Sequence, residues 1–174
     1  MTTEAYEHWR RVRPILLPYQ GGATQLYVLD LPTATLGPVL DRFADLVTHV
    51  TVDTLDSHSG APVPFTAAQR AMLLACRNTN PHHVLSGRYS ETATVTLWVW
   101  IDSQAATFDA ELVFWADQIF PMPEDEATCI REYARFVALA ESMRALSPGS
   151  RCVLTDRETG DPREFLGETG TYQW

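Results

Sequence analysis

The sequence contains no lysine, and all thirteen of its basic residues are arginine. Asparagine occurs only at Asn78 and Asn80. Because both amino acids have AT-rich codons, this usage is typical of a GC-rich bacterial genome. The absence of lysine excludes a Schiff-base lysine, a P-loop lysine and a lysine general base from the chemistry of this chain.

Cysteine is scarce, and its three positions, Cys76, Cys129 and Cys152, lie far apart without any CxxC pair. This pattern is neither a disulfide framework nor a cysteine zinc site, and it favours a reducing cytoplasm. The first thirteen residues are polar and include no apolar signal-peptide segment. No apolar run approaches the length that crosses a membrane. We therefore expect a cytoplasmic protein with no membrane partner.

The common catalytic and nucleotide-binding motifs are also missing. There is no GxSxG nucleophile motif, no GxGxxG and no GxxxxGK[ST]. The sequence therefore predicts no catalytic residues and no cofactor.

Positive charge is in deficit, with 22 acidic against 13 basic residues and a formal net charge of -9. Such a chain is repelled by nucleic acid backbones and by anionic membranes. A basic protein is the natural partner of an acidic one, because complementary fields accelerate encounter. Solubility alone is the alternative explanation of the charge.

What is present is the pattern of an α+β fold in a single domain over residues 1–174. Strict alternation of apolar and polar residues over 92–101 and 108–117 predicts a long antiparallel hairpin. Helical spacing predicts helices over 2–11, 37–49 and 67–77, and a fourth that begins after residue 123 and ends near 147. We therefore expect a two-layer sandwich, a mainly antiparallel sheet with helices packed on one face.

The remaining segments are shorter. Residues 15–17, 25–30 and 152–154 are predicted as strands, the first two paired as a hairpin, and 53–64 as a loop. The tail from residue 167 is predicted to be loose, with docking of Tyr172 and Trp174 as the alternative.

The polar face of the long hairpin is unusual because it combines aromatic and acidic residues. We predict a partner-binding surface there, formed by Trp98, Trp100, Asp109, Glu111, Trp115 and Asp117. The tryptophans are expected to cluster across the two strands. Three alternatives remain open: a second core covered by helices, a homodimer surface, and a glycosidase-like carboxylate pair.

A second group of chemically interesting side chains lies in the predicted loop. Asp53, Asp56 and His58 are candidate ligands for zinc or manganese, although their spacing matches no standard metal motif. They carry the alternative hypothesis of a small, metal-dependent hydrolase.

The second half of the chain resembles small α+β immunity proteins of bacterial polymorphic toxin systems. The resemblance lies in the acidic, Trp-containing strand FDAELVFWADQIFP (108–121), the acid-capped helix after it, and PGSRCVLTDRETGDP (148–162). It implies a cytoplasmic antidote that binds and blocks a cognate toxin, and the net charge suits a basic one. A non-catalytic, immunity-type binding module is therefore the function that the sequence favours.

Overall fold

The computed structural model describes residues 3–16, 23–53, 62–76, 82–120, 125–155, 161–167 and 171–174. The described residues form eight strands and five α-helices in an α+β fold, as the sequence predicts. The helices are α1 (Thr3–Leu16), α2 (Leu36–Leu46), α3 (Ala67–Cys76), α4 (Ala116–Ile119) and α5 (Glu126–Arg144). The strands are β1 (Ala23–Pro32), β2 (Thr48–Asp53), β3 (Val63–Pro64), β4 (His82–Arg88), β5 (Thr94–Asp102), β6 (Thr107–Trp115), β7 (Arg151–Thr155) and β8 (Thr171–Gln173).

The eight strands belong to one sheet in the order β3-β2-β4-β5-β6-β1-β7-β8. Every pairing in it is antiparallel. The predicted long hairpin, β5 and β6, occupies the middle of the sheet and turns over residues 103–106. The hairpin is flanked by β4 on one side and β1 on the other. Its inward side chains therefore lie in the middle of the core, which explains the regular apolar alternation in the sequence.

The helices pack on one face of this sheet and enclose a continuous apolar core. The core combines helix residues such as Trp9, Phe43 and Phe136 with the inward face of the hairpin, including Leu97 and Leu112. A smaller apolar cluster lies on the opposite face and consists of Tyr27, Leu29 and Val153, with Leu166 against it. The loop that carries Leu166 therefore covers the β1–β7 side of that second face.

Helix starts follow the local signals in the sequence. Thr66 accepts a hydrogen bond from the backbone N–H of Gln69 at 3.3 Å and caps α3. Asp125 does the same at α5, where it accepts from the N–H of Thr128 at 3.0 Å. Both caps satisfy backbone donors that have no partner within the helix.

The prediction of an edge strand over 15–17 is wrong, because α1 continues to Leu16. Trp9, Val12 and Leu16 recur at helical spacing, and all are buried in the main core. The ring of Trp9 lies 5.8 Å from that of Tyr133 on α5. This burial offsets the helix penalty of Pro14, which lies in the last turn of α1.

The helix predicted over 37–49 ends earlier than expected, and β2 follows it. The backbone of Val47 is already extended, and Thr48 to Asp53 pairs with β4. Residues 63–64, predicted as loop, form β3 against β2. Sheet pairing thus supplies backbone hydrogen bonds that local apolar spacing does not predict.

For residues 171–174 the structure shows the alternative, in which Tyr172 and Trp174 dock. β8 pairs with β7, and Trp174 and Cys152 exchange backbone hydrogen bonds of 3.1 and 3.2 Å. The rings of Tyr172 and Trp174 pack together with centroids 5.6 Å apart, and both contact His8 of α1. The strand edge and the aromatic contacts therefore hold the end of the described chain.

Candidate protein-binding face

Two tryptophans of β5 form a stacked pair on the face of the sheet opposite the helices. The rings of Trp98 and Trp100 lie 5.4 Å apart and are nearly parallel, with an angle of 9° between them. Trp98 is opposite Glu111 on β6, and Trp100 is opposite Asp109. Trp100 remains 38% exposed, so this part of the face is not a second core beneath helices.

The orientation of Trp100 is set by its neighbours on the adjacent strands. Its indole N–H donates a hydrogen bond of 2.7 Å to Oε2 of Glu111. The ring of His82, the first residue of β4, meets it edge-on at 4.6 Å. With Trp98 stacked on one side, Trp100 is held in one conformation although much of it faces solvent, which lowers the entropy it would lose on binding.

Glu111 is the carboxylate beneath the tryptophan pair, and only 6% of it is exposed. Burial raises the pKa of Glu111, and hydrogen bonds from Trp100 and Tyr27 oppose that rise. Burial also raises the pKa of Tyr27, and the nearby carboxylate of Glu111 adds to the effect. Glu111 is therefore a buried hydrogen-bond acceptor that orients the indole of Trp100.

Asp109 lies at the other end of this surface, where Arg163 donates two hydrogen bonds to its carboxylate. Nη1 of Arg163 donates to Oδ2 at 2.7 Å, and Nη2 donates to Oδ1 at 2.9 Å. Nη2 also donates to Asp30 at 2.6 Å, and Asp161 accepts from Nη1 at 3.4 Å. The hydrogen bond to Asp109 raises the pKa of Arg163 most, with Asp30 contributing. This network ties the short 3₁₀ helix Pro162–Phe165 to the sheet.

Asp30 owes its position to an irregularity in β1. The register of β1 against β6 shifts between Val28 and Leu31, and Asp30 there adopts a φ of 62°. Its backbone N–H donates to Oδ1 of Asp109 at 2.9 Å. Burial alone raises the pKa of Asp30, but the hydrogen bond and charge of Arg163 outweigh it and lower the pKa. A bulge of this kind redirects a side chain next to a site.

A cavity of about 340 Å³ opens at the turn end of the hairpin, beside the tryptophan pair. We call it the hairpin-end cavity. Its charged and aromatic lining consists of Asp30, Trp100, Asp102, Phe108, Asp109, Asp161 and Arg163. Four carboxylates against one guanidinium leave this lining negative.

The structure separates two of the predicted site residues from the rest. Trp115 is opposite Ala23 of β1 and lies four positions along β6 from Glu111, the residue opposite Trp98. The predicted cluster of three tryptophans is therefore wrong, although Trp115 is itself 42% exposed. Asp117 lies in the single turn of α4, because β6 ends at Trp115 and the strand alternation stops there.

The predicted metal ligands cannot be compared as a set. Asp53 ends β2, where it pairs with Val84, whereas Asp56 and His58 lie outside the described residues. Within the described ranges, no group of three metal-ligating side chains comes together. Likewise, no helix among the described residues is long and apolar enough to cross a membrane.

Four residues of the site were not predicted from the sequence: Tyr27, Asp30, His82 and Arg163. Arg163 and Asp30 are 133 positions apart, and no local pattern links them. Asp161, which accepts a hydrogen bond from the N–H of Arg163, is a local cap that a Asp-Pro-Arg segment does suggest. His82 is the first residue of β4.

Comparison with known proteins finds little. No family model matches the chain, and no curated protein matches it. Among solved structures, the chain is similar to a chain in the crystal structure of the toxic C-terminal tip of CdiA from Pseudomonas aeruginosa in complex with immune protein. The TM-score is 0.46 at 12% sequence identity, over 80% of this chain and 89% of that chain. At these values the similarity assigns neither a partner nor site residues to this protein.

Proposed function

We propose that this protein is a non-catalytic binding module whose tryptophan pair, Trp98 and Trp100, contacts a protein partner. The observation that carries the proposal is the exposed side chain of Trp100, which also contacts Trp98, His82 and Glu111. Tryptophan is enriched among the residues that dominate binding energy, and a ring already ordered in the free protein loses little entropy on binding. The residues that hold Trp100, Glu111 below and His82 beside it, support this use of the face.

In its finer form, the proposal is that the partner is a basic toxin and that this chain acts as an immunity-type inhibitor in the cytoplasm. The net charge of -9 supports a basic partner. The carboxylates at the edge of the tryptophan pair, Asp102 and Asp109, place negative charge where such a partner would dock. The toxin itself is suggested by the resemblance of residues 108–162 to immunity proteins.

The test begins with the tagged native protein and a lysate of the source organism, followed by titration of the purified partner in a calorimeter. We expect one stoichiometric partner and a loss of affinity of at least tenfold for Trp100→Ser, about 1.4 kcal/mol or more. Met72→Ser is the matched control, since Met72 is 40% exposed but lies on α3 in the helix layer. Equal affinity of the native protein and both variants would refute the proposal that the partner binds at the tryptophan pair.

Trp115→Ser measures how far the binding surface extends. A loss similar to that of Trp100→Ser would mean that the partner spans the length of β6. Sedimentation of the protein alone distinguishes a second copy as the occupant: a dimer that Trp100→Ser converts to a monomer would replace a foreign partner with self-association.

A further inference from the structure

The hairpin-end cavity has the size of a site for one side chain. Its volume of about 340 Å³ lies at the lower end of the range of ligand pockets. Trp100 and Asp102 of β5, Thr107 of β6 and Arg163 of the covering loop line it. It is therefore built by three separate segments of the chain and is continuous with the tryptophan pair.

The shape of the aromatic wall follows from the strand. Trp98, Trp100 and Asp102 alternate along one face of β5, so Trp98 covers one side of Trp100 and Asp102 lies towards the other. Trp100 lines the cavity and is 38% exposed. An exposed indole beside a carboxylate is an arrangement that attracts a cation.

The charges in the cavity are not balanced internally. Arg163 pairs with Asp30, Asp109 and Asp161, and Arg151 of β7 also pairs with Asp30 at 3.3 Å, so two guanidiniums meet three carboxylates. Asp102 uses Oδ1 to accept the backbone N–H groups of Gln104 and Ala105 in the hairpin turn. These bonds keep the carboxylates in place and leave excess negative charge facing the cavity.

We propose that the hairpin-end cavity receives the guanidinium group of an arginine presented by the protein partner. A guanidinium is planar, stacks on an aromatic face and bonds carboxylates through a fork of N–H groups, which fits Trp100 and Asp102 together. An ammonium group is more strongly hydrated and has no flat face to place on the indole. This inference rests on the proposed function, because it names the chemistry by which the same face recognises its partner.

The experiment uses N-acetyl-arginine methylamide as the probe and its neutral isostere, N-acetyl-citrulline methylamide, as the comparison. Both are titrated into the ¹⁵N-labelled full chain. We expect the arginine probe to shift the indole N–H resonance of Trp100 and the amide of Thr107 saturably, and the citrulline probe to leave them in place. The Trp100→Phe variant assigns the indole resonance. Equal shifts with both probes, or none with either, would overturn the proposal.

A pair of matched variants tests the charge. Asp102→Asn keeps the oxygen that accepts the turn N–H groups, so the hairpin stays folded while the charge is lost. Asp45→Asn removes an exposed carboxylate on α2, in the helix layer and away from the cavity. We expect Asp102→Asn to weaken binding of the arginine probe roughly threefold to tenfold and Asp45→Asn to leave it unchanged. Equal effects of the two variants would mean general charge attraction and no specific cavity.

The two proposals fail in different ways. The arginine probe could bind as expected while Trp100→Ser leaves partner affinity unchanged. In that case the cavity binds a guanidinium, and the proposal that the partner binds at the tryptophan pair is refuted. If Trp100→Ser abolishes partner binding while the arginine probe shifts no resonance, the face stands and the arginine inference is refuted.

Discussion

The hydrogen bond between Trp100 and Glu111 makes a quantitative prediction about stability. Trp100→Phe retains an aromatic ring that can stack on Trp98. It removes the indole N–H that donates a hydrogen bond of 2.7 Å to Oε2 of Glu111. Leaving a buried carboxyl short of a donor costs about 1–3 kcal/mol. With a urea dependence of about 2 kcal/mol per molar, the unfolding midpoint should fall by roughly 1 M.

The assay is urea unfolding followed by circular dichroism, because the substitution removes a fluorophore. Trp115→Phe is the control: it makes the same change at a tryptophan of similar exposure, six positions along β6 from the residue opposite Trp100, and should shift stability by less than about 0.5 kcal/mol. Equal midpoints for Trp100→Phe and the native protein, at equal slopes, would refute the claim that Glu111 depends on this donor.

The pH dependence of the same site has a definite sign. Burial raises the pKa of Glu111 in the folded protein above its value in the unfolded chain. The native protein therefore has its full stability at this site below the unfolded pKa and loses it as pH rises through the folded pKa. Glu111→Gln cannot ionise, and its amide oxygen still accepts from Trp100.

The two proteins should thus be equally stable near pH 3, and Glu111→Gln should be the more stable one at pH 8. In the Glu111→Gln background, Trp100→Phe should cost less than in the native background, because the neutral amide suffers less from losing its donor. A native protein that gains stability relative to Glu111→Gln as pH rises would show that the carboxylate is favourably placed as an anion.

Two further predictions concern packing in the core. An ideal Cβ on Gly87 would overlap Cγ2 of Val47 and lie 2.8 Å from its Cβ, so Gly87→Ala should destabilise the protein by about 1–3 kcal/mol in urea unfolding. Gly149→Ala should not, because a Cβ there would have no atom within 4 Å; equal effects of the two variants would refute the close approach. Burial raises the pKa of the Cys152 thiol to about 12, so a thiol reagent at pH 8 should label Cys152 only as fast as the protein unfolds, and rapid labelling located there by mass spectrometry would contradict this.

Elements of the fold were predictable from the sequence where interactions between residues close in the chain determine them. The β5–β6 hairpin and the helices α3 and α5 were predicted closely, because alternation, caps and helical spacing are read within a few residues. The end of α1 and the strand β2 were not, and the docking of β8 was predicted only as the alternative to a loose tail. In each, burial or sheet pairing with a distant segment outweighs the local signal of a proline, an apolar spacing or a polar tail.

The candidate site divides in the same way. The sequence predicted that Trp98, Trp100, Asp109 and Glu111 share one face, since side chains two apart on a strand point the same way. It did not separate their roles, because the cross-strand register makes Glu111 a buried support and Trp100 an exposed contact. The partner-binding role of these residues, and of Trp115 and Asp117, stays a prediction.

By itself, then, the sequence determined an acidic α+β protein with a central antiparallel hairpin, one face of it apolar and the other aromatic and acidic. Composition and short-range periodicity suffice for that, because they act through neighbours in the chain. Only the tertiary structure decided that the helices cover one face and leave Trp100 exposed. It alone brought Asp30 and Arg163 together across 133 positions, since a contact between distant segments depends on the order in which the strands pair.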